Sequence, residues 1–212
     1  VLALGVIPTP TARAAVAWTL TADLMATPRI EHTATLLPDG RVLVVGGENA
    51  TGSLSSAELF DPATGQWNSA TSMTYARCRH TATLLTDGRV LVAGGYSGSA
   101  SVRTVEIYDP ASDTWTVATN LIGQRRDHTL SLLPDGRLLA VGGEHTSYLT
   151  SAELFNPATG TWSSAAHITG ARSRHAAAVT LNGGVLVTGG YNGTSYLNSA
   201  QLYDPAANSW SA

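Results

Sequence analysis

The chain lacks lysine altogether and contains one cysteine, Cys78, among its 212 residues. A single cysteine excludes both an internal disulfide framework and a metal site built from several cysteines. Charged residues make up 13 % of the chain and the formal net charge is −3, which gives no general attraction to nucleic acid or to an anionic membrane. No apolar run approaches the roughly 20 residues that a membrane-spanning helix needs.

What the chain does contain is a unit of about 48 residues, written four times. Each copy runs from a histidine to a tryptophan, with a glycine doublet and an Asp-Pro or Asn-Pro pair between them. The histidines are His32, His80, His128 and His175, and the tryptophans are Trp67, Trp115, Trp162 and Trp210. A fixed period in this range indicates a repeat architecture.

The first copy has the pattern of four short strands. A Thr- and Leu-rich run, residues 33–37, is followed by the turn Pro38-Asp39-Gly40 and then by the β-branched run 41–45, which stops at a glycine doublet. Two such runs around a Pro-Asp-Gly turn predict a hairpin. A polar loop then leads to a third strand ending at Asp61-Pro62 and a fourth around Trp67. Four antiparallel strands in each small copy predict a propeller blade, so the fold class is all-β.

The order of histidine, Gly-Gly, aromatic-Asp/Asn-Pro and tryptophan resembles the kelch repeat, of the secreted bacterial type whose propeller is similar to that of galactose oxidase-like proteins. The resemblance covers residues 18–212. It implies four complete four-stranded blades at about residues 30–71, 78–119, 126–166 and 173–212, with the first strand of each blade innermost. It also implies that loop surfaces at the two ends bind partners.

Two features of the N-terminus give further expectations. Residues 1–17 join an apolar run to Ala15-Val16-Ala17, which resembles the end of a secretory signal, so we expect an exported protein. Trp18 is predicted to lie on one extra outer strand that lacks its own blade. The four blades are therefore expected to be part of a larger ring of six or seven, and its open edges invite self-association.

The residues shared by all copies fit an architectural role, and their arginines leave two interpretations open. An arginine lies three residues before each histidine, and the third strand carries an acid in three copies and Gln201 in the fourth. The arginines are Arg29, Arg77, Arg125 and Arg172, and the acids are Glu58, Glu106 and Glu153. They form either a paired structural network, since buried charges need partners, or a ring that binds an acidic ligand.

The positions that differ between copies are better candidates for ligand contact, and several of them alternate from copy to copy. The residue before the histidine runs Glu31, Arg79, Asp127, Arg174, and the residue after the glycine doublet runs Glu48, Tyr96, Glu144, Tyr191. This order suggests a duplicated unit of two blades. Tyrosine offers an apolar face and a polar tip. The candidate contact residues are therefore Tyr96, Tyr191, Tyr148 and Tyr196, with Arg79 and Arg174 beside them.

These patterns favour a non-catalytic exported propeller that binds a protein or a glycan through its loops, with no cofactor and no metal. The alternatives are the propeller portion of a galactose oxidase-like carbohydrate oxidoreductase and a purely structural scaffold. The oxidase family uses copper with tyrosine and histidine ligands and a cysteine-linked tyrosine. Here Cys78 stands without an accompanying ligand pattern, so the sequence does not support that site.

Overall fold

The computed structural model describes residue 21 and residues 23–212. The predicted leader, residues 1–17, and the predicted outer strand at Trp18 lie outside the described residues. Within the described part of the chain every regular element is a β-strand, so the all-β prediction is confirmed. In that same part, no helix has the length and apolar character needed to cross a membrane.

Four antiparallel four-stranded sheets, the blades, follow one another along the chain. Blade 1 contains β1 (Thr33–Leu36), β2 (Val42–Val45), β5 (Ala57–Asp61) and β6 (Gln66–Ala70). Blade 2 contains β7 (Thr81–Leu84), β8 (Val90–Ala93), β9 (Val105–Asp109) and β10 (Thr114–Ala118). Blade 3 contains β11 (Thr129–Leu132), β12 (Leu138–Val141), β13 (Ala152–Asn156) and β14 (Thr161–Ala165). Blade 4 contains β15 (Ala176–Val179), β16 (Val185–Thr188), β17 (Ala200–Asp204) and β18 (Ser209–Ser211).

The polar loop of blade 1 has structure that the sequence did not predict. It folds into a two-stranded hairpin of β3 (Glu48–Asn49) and β4 (Gly52–Ser53). In the other blades, the residue after the glycine doublet makes a single β-bridge across the same loop. Polar composition concealed this pairing, because none of these loops shows an alternating apolar pattern.

The first strands of the blades lie side by side: β7 packs between β1 and β11, and β11 packs between β7 and β15. Each blade therefore has its first strand innermost, in the radial arrangement that the resemblance implied. The loops that precede the first strands and those that join the second and third strands form one end of the arc, which we call the upper face. The tight turns form the opposite end, the lower face.

Apolar side chains fill the space between successive blades. Leu139 and Leu154 of blade 3, for example, pack in one cluster with Val187 and Tyr203 of blade 4. Similar clusters join blades 1 and 2 and blades 2 and 3. Each tryptophan from blade 2 onward also donates its indole N–H to the loop that leaves the preceding blade. The acceptors are the carbonyls of Thr71, Thr119 and Ala166, at 2.7, 3.0 and 2.8 Å.

At this outer edge, a tyrosine with its acceptor alternates from blade to blade with a phenylalanine and a glycine. The Tyr108 hydroxyl donates to Asp113 at 2.8 Å, and Asp113 accepts the backbone N–H of Thr71 in blade 1. In blade 4, Tyr203 donates to Asn208 in the same way, and Asn208 accepts the N–H of the loop leaving blade 3. Blades 1 and 3 have phenylalanine with glycine at these two positions. A tyrosine therefore occurs only in the blades that also have its acceptor. The acceptor in turn bonds blade 2 to blade 1 and blade 4 to blade 3.

The glycine doublets let one blade approach the next closely. A Cβ on Gly94 would lie 2.5 Å from the carbonyl oxygen of Arg125 and 2.9 Å from the ring of His128, both of blade 3. Any residue with a Cβ would therefore clash with blade 3 at this position. The φ of +62° also favours glycine over other residues. The neighbouring Gly95 donates its N–H to the same Arg125 carbonyl at 2.8 Å.

The repeated histidines connect neighbouring blades. Threonine hydroxyls of blades 1, 2 and 3 lie 2.8, 3.0 and 2.9 Å from the Nε2 atoms of His80, His128 and His175. Burial is the main cause that lowers the pKa of His80 to about 3 and of His175 to about 4, and it places the pKa of His128 well below its ordinary value. These histidines are therefore neutral structural groups.

The outward face of blade 4 is open among the described residues. Leu186 and Leu202 are 37 % and 39 % exposed, whereas the equivalent Leu139 and Leu154 of blade 3 are 0 % and 6 % exposed. A Cβ on Gly189 would meet one atom, a carbonyl oxygen 3.5 Å away. This face thus has the composition of a blade-packing surface but no blade packed on it.

The buried histidines predict a pH dependence of stability. Their folded-state pKa lies below the ordinary 6.5, so the unfolded chain takes up protons first, and stability falls as pH drops below 6.5. Each buried histidine contributes a loss that approaches about 1.4 kcal/mol per pH unit. Urea unfolding between pH 7.5 and 5 measures this slope.

His128→Gln should reduce the slope of stability against pH by the contribution of one proton, about 1.4 kcal/mol per pH unit. His167→Gln, at an exposed position, should leave the slope unchanged. An equal slope in the wild type and in H128Q would contradict the assignment.

Candidate binding site

The four repeated arginines lie inside the blades. The Arg77 guanidinium donates to the carbonyls of Gly94 and Thr104 at 2.9 and 2.7 Å, and to Glu106 at 2.9 Å. Glu106 also accepts the backbone N–H groups of Thr74 and Tyr75 from the incoming loop. This arrangement, which we call the arginine clamp, fixes the loop that enters each blade onto the third strand of that blade.

The clamp corrects one sequence prediction. Arg29, Arg77, Arg125 and Arg172 were candidates for ligand contact, but they are between 0 % and 7 % exposed. In blades 1 to 3 the guanidinium pairs with the glutamate of its own blade, at 2.8, 2.9 and 2.5 Å. No ligand at the surface can reach these groups, so the structural interpretation of the repeated arginines is the correct one.

Blade 4 has a neutral version of the clamp. The Gln201 amide accepts the N–H of Thr169 at 3.0 Å and donates to its carbonyl at 2.5 Å. Arg172 keeps the other bonds of the clamp, to the carbonyl of Gly189 and to the hydroxyl and carbonyl of Ser199. The glutamine thus retains the contact with the incoming loop without placing a carboxylate beside the arginine.

The alternating charged residues lie at the inner edge of the upper face. Arg79, Asp127 and Arg174 each donate their backbone N–H to the carbonyl of the corresponding residue in the preceding blade, at 3.0, 3.1 and 2.9 Å. With Glu31, all four positions have φ between +52° and +55°. Arg79 pairs with Glu31 at 2.5 Å and lies 4.0 Å from Asp127. The charges of successive blades therefore largely neutralise one another.

Arg174 has the most exposed side chain of these four residues. Its Nε atom lies 3.6 Å from the Asp127 carboxylate, and its side chain is 60 % exposed. The guanidinium makes no hydrogen bond to any residue that the structure describes. Asp127 is more buried, and burial raises its pKa against the opposing effect of Arg174 and Arg79. Arg174 therefore offers an exposed cationic group at the upper face, and its ion-pair partner among the described residues is Asp127.

The upper face has three junctions between blades, and each is occupied differently. At the junction of blades 1 and 2, the Cys78 thiol donates to Glu48 at 3.3 Å, while the Ser53 hydroxyl bonds to the carbonyl of Tyr96 at 3.3 Å. Burial raises the pKa of Cys78 to about 11. This cysteine is therefore a protonated packing residue, and the junction is closed.

At the junction of blades 2 and 3, an arginine side chain fills the equivalent space. Arg126 donates to Glu144 at 2.8 Å and to the hydroxyl of Ser101 at 3.1 Å. Its guanidinium carbon also lies 4.9 Å from the centre of the Tyr96 ring. The predicted contact residue Tyr96 is thus covered in part by a neighbouring cation.

At the junction of blades 3 and 4, the position of Cys78 and Arg126 is taken by the small Ser173, and a pocket of about 530 Å³ remains. Tyr148 and Tyr196 replace the serines that occur at this loop position in blades 1 and 2. We call this site the tyrosine pocket; its lining includes Glu144, Tyr148, Ser173, Arg174, Tyr191 and Tyr196.

The three tyrosines contact one another. The ring of Tyr148 meets Tyr191 edge-on, with centroids 5.5 Å apart, and Tyr191 lies against Tyr196 at 5.1 Å and 44°. The Tyr148 ring packs on Gly193 so closely that a Cβ there would lie 2.6 Å from it. Partial burial and the nearby Glu144 carboxylate raise the pKa of Tyr148. Tyr148 is thus neutral, and the three rings form one continuous aromatic surface.

The structure brings together four of the predicted contact residues, namely Tyr148, Tyr191, Tyr196 and Arg174. Tyr96 and Arg79 lie on the same face at neighbouring junctions. Sequence reasoning missed Ser173, Arg126 and Glu144 as parts of the site. The signal was present in the position two residues before each histidine, which is occupied by a different residue in every copy: Ile30, Cys78, Arg126 and Ser173.

Two other features of the surface are weaker candidates. Among residues 21 and 23–212, one close group of potential metal ligands contains Glu31, Glu48 and Cys78. Glu31 is already paired with Arg79, and the protonated Cys78 thiol donates a hydrogen bond to Glu48. The three groups therefore already have partners within the protein. On the lower face, clefts of about 410 and 260 Å³ lie between blades 3 and 4 and between blades 1 and 2. Equivalent turns line both clefts, so we attribute them to the repeated architecture.

Radially arranged four-stranded blades joined through their inner strands define the class of the protein as a β-propeller. The family model described as the KLHDC2/KLHL20/DRC7 Kelch-repeats domain matches residues 16–171, and the Kelch motif matches residues 172–212. The chain therefore belongs to the kelch-repeat family. No curated protein matches the sequence.

The arginine clamp predicts unequal effects of exchanging its partners. Glu106→Gln would leave the Arg77 charge buried and unpaired, and should lower the free energy of unfolding by about 3–5 kcal/mol. Gln201→Glu recreates in blade 4 the pair found in blades 1 to 3 and should cost much less. Urea denaturation of both variants measures the difference. Equal losses would show that charge pairing is not what stabilises the clamp.

Proposed function

We propose that this chain is a non-catalytic, exported β-propeller that holds a binding partner on its upper face, with the tyrosine pocket as the central contact. The proposal rests on the pocket between blades 3 and 4, because the protein's own side chains do not fill this junction. Export rests on the sequence of residues 1–17 alone.

Membership of the kelch family supports a binding function, because kelch propellers are typically protein-interaction modules. The chemistry of the pocket supports it as well. Tyrosine and arginine are enriched in the energetically dominant centres of interfaces, and the site has both within one concave space. Its walls come from strand ends and short bridged loops. Little conformational freedom is therefore lost when a partner binds.

The oxidase alternative has no comparable support. Protein copper sites commonly use imidazole ligands. The close ligand group that the described residues contain, Glu31 with Glu48 and Cys78, includes no histidine. The repeated histidines are occupied between blades, where their Nε2 atoms face threonine hydroxyls.

The test of the binding function is an array of oligosaccharides and of random peptides probed with the purified full chain. Tyr196→Ala is the main variant because its side chain is 90 % exposed, so its removal leaves the fold unchanged. We expect the chain to bind at least one class of probe, and Y196A and Tyr191→Ala to weaken that binding about tenfold or more.

The matched control is Tyr75→Ala, which removes a 44 % exposed tyrosine outside the pocket and should leave binding unchanged. Absence of binding to every probe, or binding that Y196A and Y191A leave intact, would refute the role of the pocket.

We also propose that the isolated chain self-associates through its open blade faces. The exposed Leu186 and Leu202 occupy positions that are buried between blades elsewhere in the arc. A light-scattering mass above 22.0 kDa is the expected result, and Leu202→Gln should lower that mass. A stable monomer at micromolar concentration would contradict the proposal.

A further inference from the structure

The tyrosine pocket has polar groups that the protein itself leaves unused. Ser173 is 1 % exposed, and its hydroxyl has no hydrogen-bond partner, although it lies at the wall of a 530 Å³ pocket. A buried hydroxyl without a hydrogen-bond partner is unfavourable, because it has lost its bonds to water. Beside it, the exposed guanidinium of Arg174 also has no hydrogen bond among the described residues. A ligand that supplies partners to both groups would remove these deficits.

The geometry of the tyrosines restricts what kind of ligand can bind. An aromatic cage for an ammonium group needs rings that stand apart and enclose the cation. Here the ring centroids are only 5.1 and 5.5 Å apart, so the rings fill the space between themselves. What remains is the open side of a continuous aromatic surface, with Tyr196 90 % exposed. Such a surface suits a ring that presents a face of polarised C–H groups and stacks on it.

The charges restrict the ligand further. Arg174 has its Nε atom 3.6 Å from Asp127, and the rest of its exposed guanidinium can bind a carboxylate through paired N–H groups. The Glu144 and Asp127 carboxylates lie on the inner side of the same junction, and Glu144 is already paired with Arg126. A doubly charged phosphate beside these carboxylates would be repelled. A singly charged anion is repelled less and can still bind to the exposed guanidinium.

Glu144 and Ser173 also accept hydrogen bonds, so the ligand has to carry donors close to its anionic group. A ring that bears one carboxylate and several hydroxyls meets every one of these conditions. The pocket volume lies within the ordinary range for sites that hold small molecules, about 300–1,000 Å³. It has room for one or two sugar residues.

We propose that the tyrosine pocket binds an acidic monosaccharide, a uronic acid residue within a glycan. The sugar ring stacks on Tyr191 and Tyr196, the carboxylate receives the N–H groups of Arg174, and the sugar hydroxyls bond to Ser173 and Glu144. This inference rests on the proposed function, since it requires the upper face to be the binding face.

The experiment titrates the full chain with a disaccharide that ends in glucuronic acid and with the matching disaccharide that ends in glucose. The wild type should bind the glucuronate-terminated sugar about tenfold more tightly or better. Arg174→Gln should abolish this preference and leave the affinity for the glucose-terminated sugar nearly unchanged. Tyr196→Ala should weaken both affinities, and Ser173→Ala should weaken both slightly.

The matched control is Arg103→Gln, which removes an exposed arginine of blade 2 outside the pocket and should retain the wild-type preference. Thermal unfolding of all variants checks that each is folded.

Equal affinity for the two sugars, a preference that survives R174Q, or no binding at about 10 mM sugar would overturn the inference. Tyr196-dependent binding of acidic peptides without binding of the sugars would also overturn it, while leaving the proposed function intact. Loss of Tyr196-dependent binding to every probe would refute both.

Discussion

In each of blades 2 to 4, one arginine bonds both to its own blade and to the blade before it. The backbone carbonyl of Arg77 accepts the N–H of Gly47 in blade 1, while its guanidinium holds Gly94 and Glu106 in blade 2. The glycine doublet is the counterpart of this contact, because only a residue without a side chain admits the incoming carbonyl. The close approach then brings the histidine of the next blade against the threonine of the last. The rest of the arc depends on this contact, since it sets the distance between blades that the apolar clusters fill.

Because the clamp lies inside the blade and uses no surface group, the upper face is free to vary. Its backbone is constant: positive-φ residues bond from blade to blade, and the loops make the same bridges. Its side chains are not. A thiol closes the first junction and an arginine the second, and the third stays open because Ser173 is too small to fill it. One repeated scaffold therefore provides three different surfaces, and specific binding requires a change at only a few positions.

The two-blade alternation has separate causes at the two edges of the sheets. At the outer edge it is a matter of hydrogen bonding: a tyrosine hydroxyl needs an acceptor, so Tyr108 occurs with Asp113, and phenylalanine occurs with glycine. At the inner edge it is a matter of charge: neighbouring residues face one another across a junction, so an acid next to a base is stable where like charges would repel. Arg174 faces Asp127 across its junction at 3.6 Å, and its side chain stays 60 % exposed.

The sequence by itself determined the repeat, the all-β fold, the turns and the family, because each is a local pattern of glycine, proline and β-branched residues that recurs at a fixed interval. It also pointed to the tyrosines and to Arg174. It could not tell that Arg77 is buried while Arg79 is partly exposed, because the two residues lie only two positions apart on an irregular loop. Only the tertiary structure decided which residues meet at a junction. Tyr148 and Tyr191 come from different blades, and the space between them depends on the size of Ser173, which contributes to no periodic pattern.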